Sequence, residues 1–480
     1  MRRSLMINAI AALAAAGVAP ALAAQDVRSE VQSLRYPALR FNPPTPKRLT
    51  LSNGVPVYLL EDHALPTLAV QIVSRRGVAN VPDSLWGVAW QADGMLRTGG
   101  TTRLTPDSVD KLLEFYAINL FISTDHEQST AGVSGLARYR DQMLDLAFEV
   151  LRTPRNDTSR IRVTVGQQQE SWRRRNDQPG SVLGRAWSQV VLGDHPLGRS
   201  LVTPDELAGF TPERFRWVQE RLFCPQHLLI GVSGDFQERD LVRKLEALFR
   251  GWPACKPGLR ELPPVRYATG PRIVLVEKDV NQTNIRMGHP VPVRIADSSE
   301  YFASQVADFL LGGSGFTSRM LQRVRSDSGF AYSAFSSWGA EVDRDAVFFA
   351  GAQIRAEKTV AGLTLMRDVI RSMRTDPPTA RDVQLARDNE VNSFVFRFQS
   401  ASQIVGQQLA YAVDGLPADW FDVYLRGIQA VTPEAVRQAS ERYLKPDSLV
   451  MVVVGKPAAF DRPLAGLGTV TMLPVDSIKR

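Results

Sequence analysis

Two hydrophobic rhythms alternate along this 480-residue chain, and each predicts a different kind of element. From Leu49 the stretch LTLSNGVPVYLLEDHALPTLAVQIVSRRG carries its apolar residues in short runs around an Asn53-Gly54 pair. That pattern predicts a strand, a tight turn and further strands. The period then lengthens. Leu85, Val88, Ala89, Ala92 and Leu96 recur at helical spacing and make one apolar face. A second stripe on the same predicted helix holds Trp90, Asp93, Gly94 and Arg97, at i, i+3, i+4 and i+7. Further on, Asp297 and Glu300 predict a capping box for a helix that turns Phe302, Val306, Phe309 and Leu310 inward and ends at Gly312-Gly313. A second helix from Thr317 to Ser326 buries Met320, Leu321 and Val324. Gly329 breaks it, and Phe330 to Ser336 follows as a strand.

The pattern repeats once. TPERFRWVQERLFCPQHLLIGVSG, from Thr211 to Gly234, aligns without a gap on TPEAVRQASERYLKPDSLVMVVVG, from Thr432 to Gly455, with ten of 24 positions identical at a constant offset of 221. Each copy reads as a capped helix, a proline-marked turn and an apolar strand ending in glycine. A period this long repeats a whole domain. The predicted organisation is therefore a signal segment over 1–23, an extension over 24–48, a first domain over 49–255, a proline-rich linker over 256–271, a second domain over 272–463 and a tail over 464–480. Both domains mix strands with long amphipathic helices, which predicts an α+β fold.

Composition narrows the setting. With 44% apolar residues the chain is long enough for two substantial cores. Its 57 basic and 50 acidic residues leave a charge of +7, scattered apart from short runs such as Arg173 to Arg175. Zinc-finger spacing, RNA-recognition aromatics and a phosphate-binding lysine loop are all missing, so the reading carries no nucleic-acid partner. Arg2 and Arg3, an apolar run from Ile7 to Val18 and the Ala21-Leu22-Ala23 site predict a cleaved export signal and a periplasmic protein. The run is too short to span a bilayer, which needs about 20 residues. Cys224 and Cys255 are the only cysteines. Export permits a disulfide between them, and two buried thiols fit the sequence equally.

Five histidines, His63, His126, His195, His227 and His289, are too far apart for any two to share one turn of helix. That excludes a paired-imidazole metal site on a single helix. The frame around the vacant stripe, GVAWQADGMLRTGGT from Gly87, nevertheless resembles the zinc helix of the pitrilysin/insulinase family, which reads G-x-A-H-x-x-E-H-M-L-x-x-G-T. The two histidines and the glutamate of that motif map to Trp90, Gly94 and Asp93. Glu170, followed by SWRRRNDQP, resembles the region of the third zinc ligand, and His195 to Arg199 (HPLGR) resembles the family's H-P-x-G-R segment. Read without the family, Glu170 is an exposed helix glutamate.

The segment LLGGSGFTSRMLQRVRSDSGFAYSAFSSW, from Leu310, is similar to the family's S-R-L-x-x-x-L-R-E-x-x-G-L-A-Y-S motif, with Ser326 in place of its glutamate. The resemblance runs from Leu49 to Pro463 and implies two homologous sheet-and-helix domains arranged as a clamshell. It also implies that Arg325 and Tyr332 contact substrate. Read without it, Arg325 serves a helix C-terminus or pairs with Asp327, and Tyr332 fills space. The resemblance implies a non-catalytic, substrate-binding subunit of a two-subunit periplasmic zinc peptidase. Such a subunit binds no cofactor itself, and its H-x-x-E-H partner holds the zinc. The alternatives are a stand-alone peptide-binding or chaperone-like scaffold, and an enzyme using Asp93 and Glu170 with another metal.

Overall fold

The computed structural model describes residues 41–478. The predicted export segment and residues 24–40 of the extension lie outside the described residues. Residues from Pro43 onward form one compact unit built on two six-stranded sheets. The first sheet contains β1 (Lys47–Thr50), β2 (Pro56–Glu61), β3 (Thr67–Ser74), β4 (Asn119–Thr124), β5 (Ser129–Leu136) and β6 (Leu228–Gly234), in the order β1-β2-β6-β3-β5-β4. The second contains β7 (Arg272–Glu277), β8 (Gln282–Val291), β9 (Ala331–Trp338), β10 (Ala346–Arg355), β11 (Val450–Gly455) and β12 (Val470–Met472), in the order β12-β7-β11-β8-β10-β9.

Five strands of each sheet share one topology. β2-β6-β3-β5-β4 and β7-β11-β8-β10-β9 are the same order displaced by five strands. In both, the first pair is parallel and the other three are antiparallel. The repeated sequence thus folds twice into the same unit. The sixth strands differ, because β1 joins β2 antiparallel whereas β12 joins β7 parallel. The α+β clamshell class implied by the sequence is the observed one.

β6 and β11 are buried almost throughout, because both faces of each sheet are covered. One face of each packs on helices of its own half. The other face is covered by a helix from the opposite half. Val182, Leu183, Ala186, Trp187 and Val191, on the Pro179–Leu192 helix, pack on Val274, Val276, Val450, Val452 and Val454 of the second sheet. In return, Val405 and Leu409, on the Ala401–Asp414 helix, pack on Tyr58, Val73 and Leu229 of the first sheet. The two helices begin 222 residues apart (179 and 401), one more than the offset of the sequence repeat. The exchange therefore obeys the internal symmetry, and neither sheet is covered without the other half.

Gly231 shows how tight this packing is. A Cβ there would stand 2.3 Å from Val405 Cγ1 and 2.7 Å from Leu409 Cδ1, whereas the repeat carries Val452 at the matching place. Gly231→Val is expected to force the Ala401–Asp414 helix off the first sheet. Overpacking of this kind costs about 1–3 kcal/mol. A urea-unfolding midpoint equal to that of the parent protein would show that the helix packs loosely.

Residues 256–271 form no helix or strand, yet they are held. A disulfide joins Cys224 to Cys255, whose Cα atoms are 5.1 Å apart, so the two cysteines are not a pair of free thiols. Arg260 pairs with Asp83, His195 donates to the Pro263 carbonyl at 2.9 Å, and the Tyr267 hydroxyl donates to the Asp345 carbonyl. A direct ion pair also crosses between the halves, from Arg344 to both oxygens of Glu127.

Candidate functional site

The predicted helix through the vacant stripe is two pieces, Trp86–Ala89 and Ala92–Thr98, with Gln91 at φ −114° and ψ 4° between them. Gln91 therefore leaves the helical path, whereas Trp90 keeps helical angles and donates its N–H to the Trp86 carbonyl at 2.9 Å. The Trp90 indole is part of a column of rings. The Arg199 guanidinium lies 4.1 Å over Trp86, Trp86 stacks on Trp90 at 5.0 Å, and Trp90 meets the His126 ring at 5.3 Å. Glu206 anchors the column by pairing with Arg199 and accepting the Gly87 N–H. His126 donates from Nε2 to the Arg199 carbonyl at 2.6 Å. The place of an imidazole ligand is filled by aromatic packing.

The other zinc-motif positions fit a metal no better. The Asp93 carboxylate accepts the Gly94 N–H at 2.6 Å and the Thr124 N–H at 3.1 Å, which ties the helix to the end of β4. Burial raises its pKa, partly offset by those amides. Gly94 offers no side chain, and a Cβ added there would meet nothing within 4 Å. Glu170 lies on the exposed side of the Thr158–Arg173 helix, paired with Arg174 at 2.5 Å and Arg173 at 3.5 Å. With one indole, one amide-capped aspartate, one glycine and one arginine-paired glutamate, these positions hold no donor set for zinc. His195 of the HPLGR segment is buried. Its Nδ1 accepts the Leu197 N–H, which fixes Nε2 as the donor to Pro263 and makes the residue a clamp on the 256–271 strand-less stretch.

The second half arranges its candidate residues differently. The cap of the Ser299–Asp308 helix is Ser298, whose hydroxyl accepts the Tyr301 N–H, rather than Asp297. After it the chain widens into a π-helical turn over Phe309–Gly313. The expected second helix is a single turn, Arg319–Leu321, capped by Ser318 and followed by another π-helical segment, Gln322–Asp327. Met320, Leu321 and Val324 are buried as their spacing requires, and Gly329 leaves with φ +63°. Arg325 lies in the last turn of that π-helical segment, the helix-end position that its reading without the family requires. Asp327 pairs with Arg323, not with Arg325.

Arg325 and Tyr332 meet. The guanidinium carbon lies 4.8 Å from the centre of the Tyr332 ring and 5.0 Å from that of Phe316. Ala331 pairs with Ile354 and Ser333 with Gln353, so Tyr332 is the extra residue of a β-bulge on the edge strand β9. The bulge aims it outward, and its side chain is 71% exposed. Among the described residues no hydrogen bond or ion pair takes up the Arg325 N–H groups. Stacking leaves those in-plane donors available, so the cluster offers several permanent N–H donors and one phenol donor at a solvent-facing edge. Phe316, 74% exposed, was not singled out in the sequence. An aromatic directly after the glycines of GGSGFTSR was the signal for it.

Residues 209–390 match the family model described as the Peptidase M16 inactive domain. An uncharacterized zinc protease of Mycobacterium tuberculosis is 24% identical over 406 residues, 83% of this chain and 91% of that one. A protein of Helicobacter pylori described as a non-peptidase homolog is 21% identical over 403 residues, with the same coverage of 83% and 91%. Among solved structures, a peptidase M16 inactive domain from Pseudomonas fluorescens superposes with a TM-score of 0.76 at 20% identity, covering 90% of this chain and 100% of that one. The periplasmic protease PqqL of Escherichia coli superposes with a TM-score of 0.75 at 16% identity, covering 88% of this chain but 48% of that one.

Proposed function

Because this chain belongs to the pitrilysin/insulinase family of M16 peptidases and has none of that family's zinc-motif side chains, we propose that it is the substrate-binding, non-catalytic subunit of a two-subunit zinc peptidase. The observation that carries this reading is the contrast between its two halves. In the first, the metal positions are filled by packing and backbone capping. In the second, Arg325 and Tyr332 are brought together at an exposed bulge with their donors available. Size supports it too, since this chain matches about half of PqqL, and the proposed partner supplies the corresponding other half.

In this proposal the partner chain carries the H-x-x-E-H motif and the zinc. Arg325 and Tyr332 hydrogen-bond the carbonyl, or the oxyanion that develops from it, of a peptide held between the subunits. The contribution is positional and electrostatic, so this chain needs no reacting group of its own. The compartment belongs to the proposal as well. A Cys224–Cys255 disulfide suits the oxidising periplasm to which the N-terminal signal points. Among the described residues, no helix is long and apolar enough to cross a membrane.

The test is affinity purification of the chain from the native periplasm, with metal analysis and peptide-cleavage assays. Expected are a stoichiometric partner bearing H-x-x-E-H, cleavage by the pair, and neither bound zinc nor cleavage for the isolated chain. One tightly held zinc and chelator-sensitive cleavage by the isolated chain would overturn the proposal. Recovery without a partner would favour a stand-alone peptide-binding scaffold.

A further inference from the structure

The internal symmetry exposes one charge that the fold does not use. In the first sheet, Gly231, Gln71, Gly132 and Phe121 lie side by side in register across β6, β3, β5 and β4. The matching row of the second sheet is Val452, Arg286, Gly351 and Phe335, across β11, β8, β10 and β9. In both rows a phenylalanine of the edge strand lies over the glycine directly opposite it. Gln71 is satisfied by the exchanged helix, since its amide donates to the carbonyl and the hydroxyl of Ser402, both at 3.1 Å.

Arg286 has no such partner. Its guanidinium carbon lies 4.6 Å from the centre of the Phe349 ring and 5.8 Å from that of Trp187, on the opposite half's helix. Its Nε is buried without a hydrogen-bond partner. Among the described residues no carboxylate pairs with it, and burial lowers its pKa with no neighbouring charge contributing. An unpaired, partly buried cation destabilises a fold unless something else meets its charge. Cation–π contact with two rings offsets part of that penalty but leaves the in-plane donors unmet. Such a fork matches a carboxylate or a phosphate in two parallel hydrogen bonds. The rings beside it, Phe349 and the 40%-exposed Phe335, form an apolar shelf suited to a neighbouring side chain of the same ligand. That combination favours a peptide over a bare inorganic anion.

We propose that Arg286 is a carboxylate-binding subsite for the bound peptide, taking either its C-terminal carboxylate or an acidic side chain, with an adjoining apolar side chain on the Phe335 and Phe349 rings. The proposal rests on the peptide-binding reading above and adds a preference to it. The two can fail separately. Short dye-labelled peptides rich in Phe and Ala are titrated by fluorescence polarisation against the mature chain. They come with a free or amidated C-terminus, and with Glu or Gln inside.

The carboxylate forms are expected to bind about tenfold more tightly. Whether the C-terminal or the internal change matters identifies which carboxylate is read. Arg286→Met should abolish the preference while leaving binding of the neutral peptides and the melting temperature unchanged or raised, because the charge removed had no internal partner. Arg286→Lys should keep part of it. Equal affinity for charged and neutral peptides, or a preference that survives in Arg286→Met, overturns the subsite but not peptide binding. Competition by inorganic phosphate as strong as by the carboxylate peptides also overturns it. Failure of every peptide to bind overturns both.

Discussion

Arg325→Ala, assayed with the catalytic partner present, is expected to lower peptide turnover by about 10²-fold or more, and Tyr332→Phe by a smaller factor. The basis is geometric. The guanidinium stacks between Tyr332 and Phe316, and the phenol stands outward on a bulge. Stacking positions the donors but consumes none of them. A preorganised donor is worth most against an oxyanion, because its alignment is complete before reaction. The loss should therefore fall on kcat more than on KM. Neither residue is part of the buried core, since Tyr332 is mostly exposed and Arg325 half-buried. Melting curves should move little, and subunit association should persist. Steady-state kinetics on the reconstituted pair would decide. Unchanged turnover in both variants would reduce this face to a structural wall.

Replacing Cys224 and Cys255 together by serine is expected to destabilise the chain by about 3–4 kcal/mol, the chain-entropy value for a loop of this length. The two cysteines are 31 residues apart in sequence, a span holding β6 and the Glu238–Phe249 helix. Losing the bridge also frees the start of residues 256–271, where hydrogen bonds, an ion pair and side-chain packing replace regular structure. Urea unfolding of the oxidised parent and the double variant measures the first effect. Limited proteolysis within 256–271 measures the second. Equal midpoints would mean that the unfolded chain already keeps these ends together.

Local periodicity predicted several elements well, and its failures share one cause. Met320, Leu321 and Val324 were assigned inward correctly because burial follows residue spacing. The same spacing missed the π-helical turns at Phe309–Gly313 and Gln322–Asp327, since an inserted residue changes the turn without changing the apolar count. It predicted one continuous helix through Trp90, whereas the backbone departs from the helix at Gln91. Asp297 and Ser298 are both good caps, and only the direction of the incoming chain selects Ser298.

Residue identity alone determined that positions 90 and 94 carry no zinc-ligating side chain, because an indole cannot coordinate zinc and glycine has no side chain. The sequence alone also established the duplication, since an ungapped offset of 221 residues reports descent without reference to contacts. The tertiary structure alone decided how the halves use that symmetry. Each covers the other's sheet with a helix, and Gln71 finds Ser402 across 331 residues of chain. It also decided that, among the described residues, no carboxylate pairs with the equivalent Arg286, and that a bulge turns Tyr332 toward Arg325. Those outcomes depend on strand register and on contacts between residues far apart in sequence. A local pattern of apolar and polar positions carries the preference of each segment, but not which distant surface it will meet.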